Sequence, residues 1–274
     1  MDSDIRRVQE KILEIMKIVD TICRENGIEY MIMGGTALGA VRHGGFIPWD
    51  DDLDIFMTPE NYRRFRKVFD EKSPKGLVLQ EWSVTEGYTE YAKVRMDGTT
   101  FIEDAFMDRK DMHHGIYIDI MILHKCPRNP FLQHMIYVAS KFVVLVALSR
   151  RNWKPKRLYQ KYALGLLKLM PVETLSRLAY RLIYRYETLE DGYDYCYFIT
   201  KASFRQGIFA RELLDKTVDV PFEDTLLKAP VGLKEYLSLR YGDYMKLPSE
   251  EEIESSVHAR IYDVDRDYRE YLDG

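Results

Sequence analysis

Apolar residues at Ile5, Val8, Ile12, Ile15, Val19 and Ile22 recur at helical spacing, and Asn26-Gly27 supplies a stop. The pattern then shortens. Ile28 to Met33 reads as a brief buried strand that ends at Gly34-Gly35, and Thr36 to Val41 reads as a short helix with Thr36 near its N-terminus. His43 to Asp51 holds Gly44-Gly45 and Pro48 and is expected to be a loop. Leu53 to Met57 follows as a strand. Thr58-Pro59-Glu60 is a helix start, with a capping Thr, Pro at the first helical position and then an acid. That helix is expected to run to about Phe69. Leu77-Val78-Leu79, Tyr91 to Arg95 and Ile116 to Met121 read as further strands.

The pattern changes after Cys126-Pro127-Arg128-Asn129-Pro130. From about Phe131 to Tyr186 only helices are expected, and this stretch carries Lys141, Arg150, Arg177, Arg181 and Arg185 among its bases against the single acid Glu173. Mixed structure returns with Val218 to Phe222 as a strand and Val231 to Tyr241 as a helix. The fold class is therefore α/β (α+β): a mixed sheet flanked by helices, with a largely helical insertion. Residues 1–126 form the expected core, 127–190 the basic helical region, and 191–274 a mixed region completing the same globular unit.

A chain of 274 residues with 46% hydrophobic and 31% charged residues can bury a sizeable core. The net charge of −4 argues against a dedicated nucleic-acid binder. Cys23, Cys126 and Cys196 form no CxxC pair and read as reduced thiols. No basic segment followed by an apolar run opens the chain, and the longest uncharged apolar run, Phe142 to Leu148, is far too short to span a bilayer. A cytoplasmic location is expected, and the basic helices leave open a contact with the inner face of the plasma membrane.

The chemistry gathers at Trp49-Asp50-Asp51-Asp52-Leu53-Asp54. Asp52 and Asp54 lie two apart on an expected strand, so their carboxylates should share a face and suit Mg²⁺ or Mn²⁺. Asp50 and Asp51 add like charge that calls for a cation or basic groups. The bland alternative is a solvated acidic turn, but Trp49, Leu53, Ile55 and Phe56 imply apolar surroundings, where bare carboxylates are costly. Upstream, a strand ending in Gly34-Gly35 and turning into a helix at Thr36 offers backbone N–H groups to a phosphate. Arg42 and His43 could lend charge to a diphosphate. Asp119, in the apolar run Ile118-Asp119-Ile120, is either a third metal ligand or the partner of a nearby Lys or Arg. Lys93 and Arg95 alternate on one strand, where they bind diphosphate or form a solvated face.

The unbroken stretch from Gly34 to Ile55, GGTALGAVRHGGFIPWDDDLDI, resembles the signature of the LicD family of phosphocholine transferases, related to fukutin and fukutin-related protein. Val94 to Thr99, His114 to Ile120 and Tyr241 to Pro248 are similar to the family as well. The resemblance implies a nucleotidyltransferase-like fold that moves a phospho-alcohol from CDP-choline or another CDP-alcohol to a glycan hydroxyl. Teichoic acid and lipopolysaccharide precursors, some of them lipid-linked, are the acceptors it implies. By position it makes Asp52, Asp54 and Asp119 the catalytic, metal-holding carboxylates. Gly34, Gly35, Thr36, Arg42, His43, Asp51, Lys93 and Arg95 become the substrate-binding set. The proton of the attacking hydroxyl goes to Asp119 or to one of Asp50 and Asp51.

Trp49, Trp82 and Tyr88 are conceivable faces for a quaternary ammonium, and His258 could reach the site. Two rivals remain: a nucleotidyltransferase that releases pyrophosphate from a nucleoside triphosphate, and a degenerate scaffold, against which the intact carboxylates argue.

Overall fold

The computed structural model describes residues 3–81, 91–107, 109–150, 162, 165, 167, 170–200, 202–249 and 259–272. Trp82, Tyr88, His258 and the basic run 151–161 lie outside the described residues. The chain forms two compact units. One comprises Met1–Glu81, Ala92–Met121 and Glu212–Gly274, and the other Trp82–Tyr91 and Ile122–Arg211.

The first unit opens with α1 (Ser3–Glu25), whose Val8, Ile12, Ile15, Val19 and Ile22 are buried as the periodicity predicts, with Ile5 half-buried. Asn26 Nδ2 donates to Ile22 O and Gly27 turns left-handed at φ 58°, which ends the helix where expected. Then come β1 (Met31–Ile32), α2 (Gly34–His43), β2 (Asp54–Met57), α3 (Pro59–Lys72), β3 (Leu77–Gln80), β4 (Tyr91–Met96), β5 (Thr100–Glu103) and β6 (Tyr117–Ile122). Thr58 caps α3, its side chain accepting from Asn61 N, with Pro59 in the first turn.

Five strands join in the order β1-β2-β6-β4-β3. This places β2 and β6, the carriers of Asp54 and Asp119, side by side, with Asp119 N donating to Leu53 O at 2.9 Å. The expected mixed α/β architecture is present. Two local expectations need correction. The strand of β1 is only two residues long, and both glycines belong to the first turn of α2 instead of to a preceding turn. Strand β2 starts at Asp54, so Asp52 sits in the loop before it.

The second unit pairs β7 (His124–Pro127) with β8 (Tyr193–Cys196) and β9 (Ile208–Phe209), and packs α4 (Pro130–Arg150) against α5 (Val172–Ile183). Helix α4 is longer and more apolar than the run Phe142 to Leu148 implied. Its best 18-residue window has a mean hydropathy of 1.7, and among the described residues it is the one helix long and apolar enough to cross a membrane. Lys141 interrupts the apolar run without ending the helix.

The chain then returns to the first unit through the hairpin β10 (Thr217–Phe222) and β11 (Thr225–Pro230), followed by α6 (Leu233–Tyr241). Strand β12 (Ala259–Asp263) pairs antiparallel with β5. The sequence pattern did not single out β5, β11 or β12.

Candidate functional site

Residues far apart in sequence hold the loop between α2 and β2. Gly45 N donates to Gly39 O, and a Cβ on Gly39 would come within 2.4 Å of Gly45 O, so the loop folds tightly back on its helix. Gln9 is fully buried, and its Nε2 donates to Ile47 O at 3.1 Å and Asp50 O at 2.9 Å. From the other side comes the tip of the β10–β11 hairpin. Glu223 adopts a left-handed φ of 53°, its N–H donates to Gly44 O, and its Oε1 accepts from Phe46 N at 3.0 Å. Arg6 binds the second oxygen at 2.8 Å. A non-glycine residue in that backbone region is strained, and here its side chain clamps the loop that carries Asp50 to Asp52.

The carboxylates meet at the start of α2. A Cβ on Gly35 would lie 2.6 Å from Asp50 Oδ2, and one on Gly34 would lie 3.3 Å from Asp54 Oδ2. The glycine pair is thus a cradle for two acids: a side chain at Gly35 would displace Asp50, and one at Gly34 would crowd Asp54 from a left-handed φ of 56°. Thr36 Oγ1 accepts from Asp54 N at 2.9 Å and fixes the strand start. The N–H of Gly34 already donates to the hydroxyl of Tyr236 on α6 at 3.0 Å, so it is not the open phosphate donor the Gly-Gly pattern predicted. Asp54 retains some solvent exposure as a residue, but its Oδ1 is buried and has no hydrogen-bond partner. Desolvation first, then the charges of Asp52, Asp119 and Asp50, push its carboxyl well above the usual range.

A second cluster lies on the neighbouring strands. Lys93 and Arg95 are 2% and 1% exposed, which rules out the solvated-face reading. Lys93 Nζ lies 2.9 Å from Asp119 Oδ1 and 3.2 Å from Oδ2, the latter with hydrogen-bond geometry. Glu103 approaches Lys93 at 3.7 Å and Arg95 at 3.8 Å. The Tyr117 ring lies beneath both cations, with Nζ 3.2 Å and the guanidinium carbon 4.7 Å from its centroid. Arg95 also donates to Gln80 and to Gly115 O. Burial raises the Asp119 carboxyl, and Lys93 pulls it back down. Asp119 is thus paired with Lys93, the contact that one of its two readings expected.

The remaining expected site residues fall around this centre. Arg42 donates to Tyr244 O at 3.1 Å and Lys246 O at 3.3 Å, fastening α2 to the chain beyond α6. Its Nε donates to His43 Nε2, and burial together with the Arg42 charge lowers the pKa of His43. Both causes favour the neutral imidazole. Asp51 is buried, in contrast to its half-exposed neighbours Asp50 and Asp52. Trp49 stands edge-on to His43 with centroids 6.0 Å apart. Sequence reasoning missed Gln9, Glu103, Glu223 and Tyr236. For Gln9 a signal existed, since it is a polar residue on the apolar face of α1.

Residues 27–136 match the family model described as LicD/FKTN/FKRP, nucleotidyltransferase domain. That stretch, about two fifths of the chain, is what resembles the LicD/FKTN/FKRP proteins. A lipopolysaccharide cholinephosphotransferase LicD of Haemophilus influenzae is 27% identical over 253 residues, 90% of this chain and 94% of the relative. An uncharacterized protein of Rickettsia prowazekii, RP689, is 31% identical over 48% of this chain and 46% of its own length. The human ribitol 5-phosphate transferase FKRP is 43% identical over 42 residues, 15% of this chain and 8% of the relative. The carboxylate cradle of Gly34 and Gly35 lies inside the matched nucleotidyltransferase-domain stretch.

Proposed function

We propose that the enzyme transfers a phospho-alcohol, phosphocholine foremost, from a CDP-linked donor to a hydroxyl of a cell-surface glycan precursor in the cytoplasm. The observation that carries this reading is the orphaned, buried Oδ1 of Asp54 among the charges of Asp52, Asp119 and Asp50. A buried anion without a partner is expensive unless a cation meets it. Among the described residues no three acidic, His or Cys side chains are already arranged as a metal-ligand set. The fit therefore rests on Asp54 and on Asp52, the carboxylate whose charge bears on it most. Asp52 and Asp54 would hold Mg²⁺ or Mn²⁺, while Asp119 keeps Lys93 in place. The cation, when bound, neutralises the charge that builds up on the donor diphosphate.

The chain's own residues do the rest. Gly34 and Gly35 give the carboxylates room, and Thr36 fixes the position of Asp54. The acceptor oxygen attacks the distal phosphorus in line with the phosphorus–oxygen bond to CMP, which breaks as CMP leaves with the bonding pair. The hydroxyl proton passes to a carboxylate. Asp119 is already ion-paired and Asp51 is buried, which favours Asp50, half-exposed beside Gly35, as the acceptor of that proton.

Support for phosphocholine over other alcohols comes from the long alignment with the Haemophilus enzyme, while the short FKRP match keeps ribitol phosphate in the panel. The test is CMP release from CDP-choline, CDP-glycerol and CDP-ribitol with Mg²⁺, run beside Asp52→Asn and Asp54→Asn. Release from one donor, lost in EDTA and in both variants, is expected. If no CDP-alcohol binds or reacts and a nucleoside triphosphate yields pyrophosphate instead, the nucleotidyltransferase reading replaces this one.

A further inference from the structure

Helix α4 keeps an apolar row in contact with solvent. Gln133, Ile136, Ser140, Val143, Val146 and Ala147 form its buried face. On the opposite face lie Phe131 and Val138, 72% and 65% exposed, with Met135 between them. Phe142 and Leu145 continue the row at helical spacing and are half-buried. A helix that is apolar all round is ordinarily enclosed by protein or lipid. The adjoining α5 adds Leu178, 52% exposed, between the exposed Arg177 and Arg181. Among the described residues of 131–186 the bases are Lys141, Arg150, Arg177, Arg181 and Arg185 against the one acid Glu173, in a chain whose net charge is −4.

We propose that this face of α4, together with the arginines of α5, docks on the surface of an anionic lipid bilayer. Apolar side chains entering the headgroup region beside cations that meet lipid phosphates are the two ingredients of interfacial binding. Charge decides against the rival occupants. A second copy of the chain would set this cationic surface against itself. Insertion of α4 across the bilayer would strip Lys141 of its bonds to Thr200 O at 2.6 Å and Ala202 O at 2.8 Å, and would pull Gln133 and Ser140 from their buried positions. A surface helix keeps all of these. Docking does not depend on which alcohol is transferred, and it is read without turnover.

Co-sedimentation of the full chain with phosphatidylcholine vesicles, with and without about 30% phosphatidylglycerol, tests it. Strong binding only to the anionic vesicles is expected. Phe131→Ser/Val138→Ser should weaken it about tenfold or more, with an unchanged melting temperature because both side chains are exposed. Arg177→Glu/Arg181→Glu should weaken it as well, and added salt should mimic that loss. Equal binding to both vesicle types, or variants that bind like the wild type, would overturn the proposal. So would wild-type protein that resists alkaline carbonate extraction, which marks a spanning helix. Self-association in lipid-free buffer that the serine variant abolishes would assign the face to a second copy.

Discussion

Two clusters of charge adjoin the sheet of the first unit: one pairs acids with cations, and the other gathers acids. Around Tyr117, Lys93 and Arg95 face Asp119 and Glu103, so each cation has an acid within 4 Å. Around Gly34-Gly35, Asp50, Asp52 and Asp54 crowd together, and one oxygen of Asp54 is left without a partner. A balanced cluster is complete as folded, and removing any member costs stability. An unbalanced one is held together by its surroundings against its own repulsion, and that arrangement makes sense for a site completed by something that binds. The contrast separates residues that support the chemistry from residues that perform it.

The largest expected effect breaks the unbalanced side. Asp54→Asn should lower transfer about a thousandfold, because it removes a charge that matters most when the diphosphate is being split. The same change should make the cation-free protein more stable. The pKa of Asp54 is raised in the fold, so wild-type stability falls as pH climbs above the ordinary Asp range toward that raised value. Asparagine removes this dependence. A melting temperature higher than wild type at pH 7, by about 2–4 °C for each kcal/mol relieved, is the readout. Mg²⁺ should raise the wild-type midpoint and leave that of the variant unmoved. A variant that melts lower and still responds to Mg²⁺ would remove Asp54 from the cation site.

The next effect tests the balanced side. Lys93→Met leaves Asp119 without its cation and should cost about 3–5 kcal/mol in chemical denaturation. Adding Asp119→Asn should restore most of that loss, since the stranded charge disappears. Mg²⁺ sharpens the comparison. If it rescues Lys93→Met but not the double variant, Asp119 is drawn into the cation site once its lysine is gone. If it rescues neither, the two clusters are separate.

Much of this was readable in the sequence because it is local. Thr58-Pro59 announces α3, the spacing from Ile5 to Ile22 gives the buried face of α1, and Asp119 stands out as an acid among isoleucines. The alternation of Lys93 and Arg95 put them on one face, although only the fold shows that face to be buried. What stayed hidden depends on contacts between distant segments. Nothing near Gly34 reports that Tyr236 takes its N–H, and a pattern of period two cannot reveal that Asp52 precedes the strand instead of lying on it. Strand β5 is short, and among the described residues its partner strand is β12, from the far end of the chain. Its last residue, Glu103, which completes the balanced cluster, was invisible for the same reason.

Glu223 supplies the smallest effect and the one that asks how the unbalanced cluster is kept in place. Its hydrogen bond from Arg6 comes first among the causes that hold its carboxyl below the usual range, followed among the lowering causes by the bond from Phe46 N. A depressed carboxylate contributes stability above its unfolded pKa of about 4.3 and loses it as pH falls through the folded value. Glu223→Gln keeps an acceptor for Phe46 N and gives up the charge. At pH 7 it should cost about 1 kcal/mol or less, because Arg6 is partly exposed and the pair is screened. In acid the variant and the wild type should converge. Glu223→Ala strands the Phe46 N–H as well and should cost about 1–3 kcal/mol. Since that loop carries Asp50 to Asp52, the alanine variant should also lose about tenfold in kcat, with much less change in KM. An alanine variant that loses stability at undiminished kcat would show that the carboxylates hold their places without the hairpin, and that the cradle of Gly34 and Gly35 alone positions them.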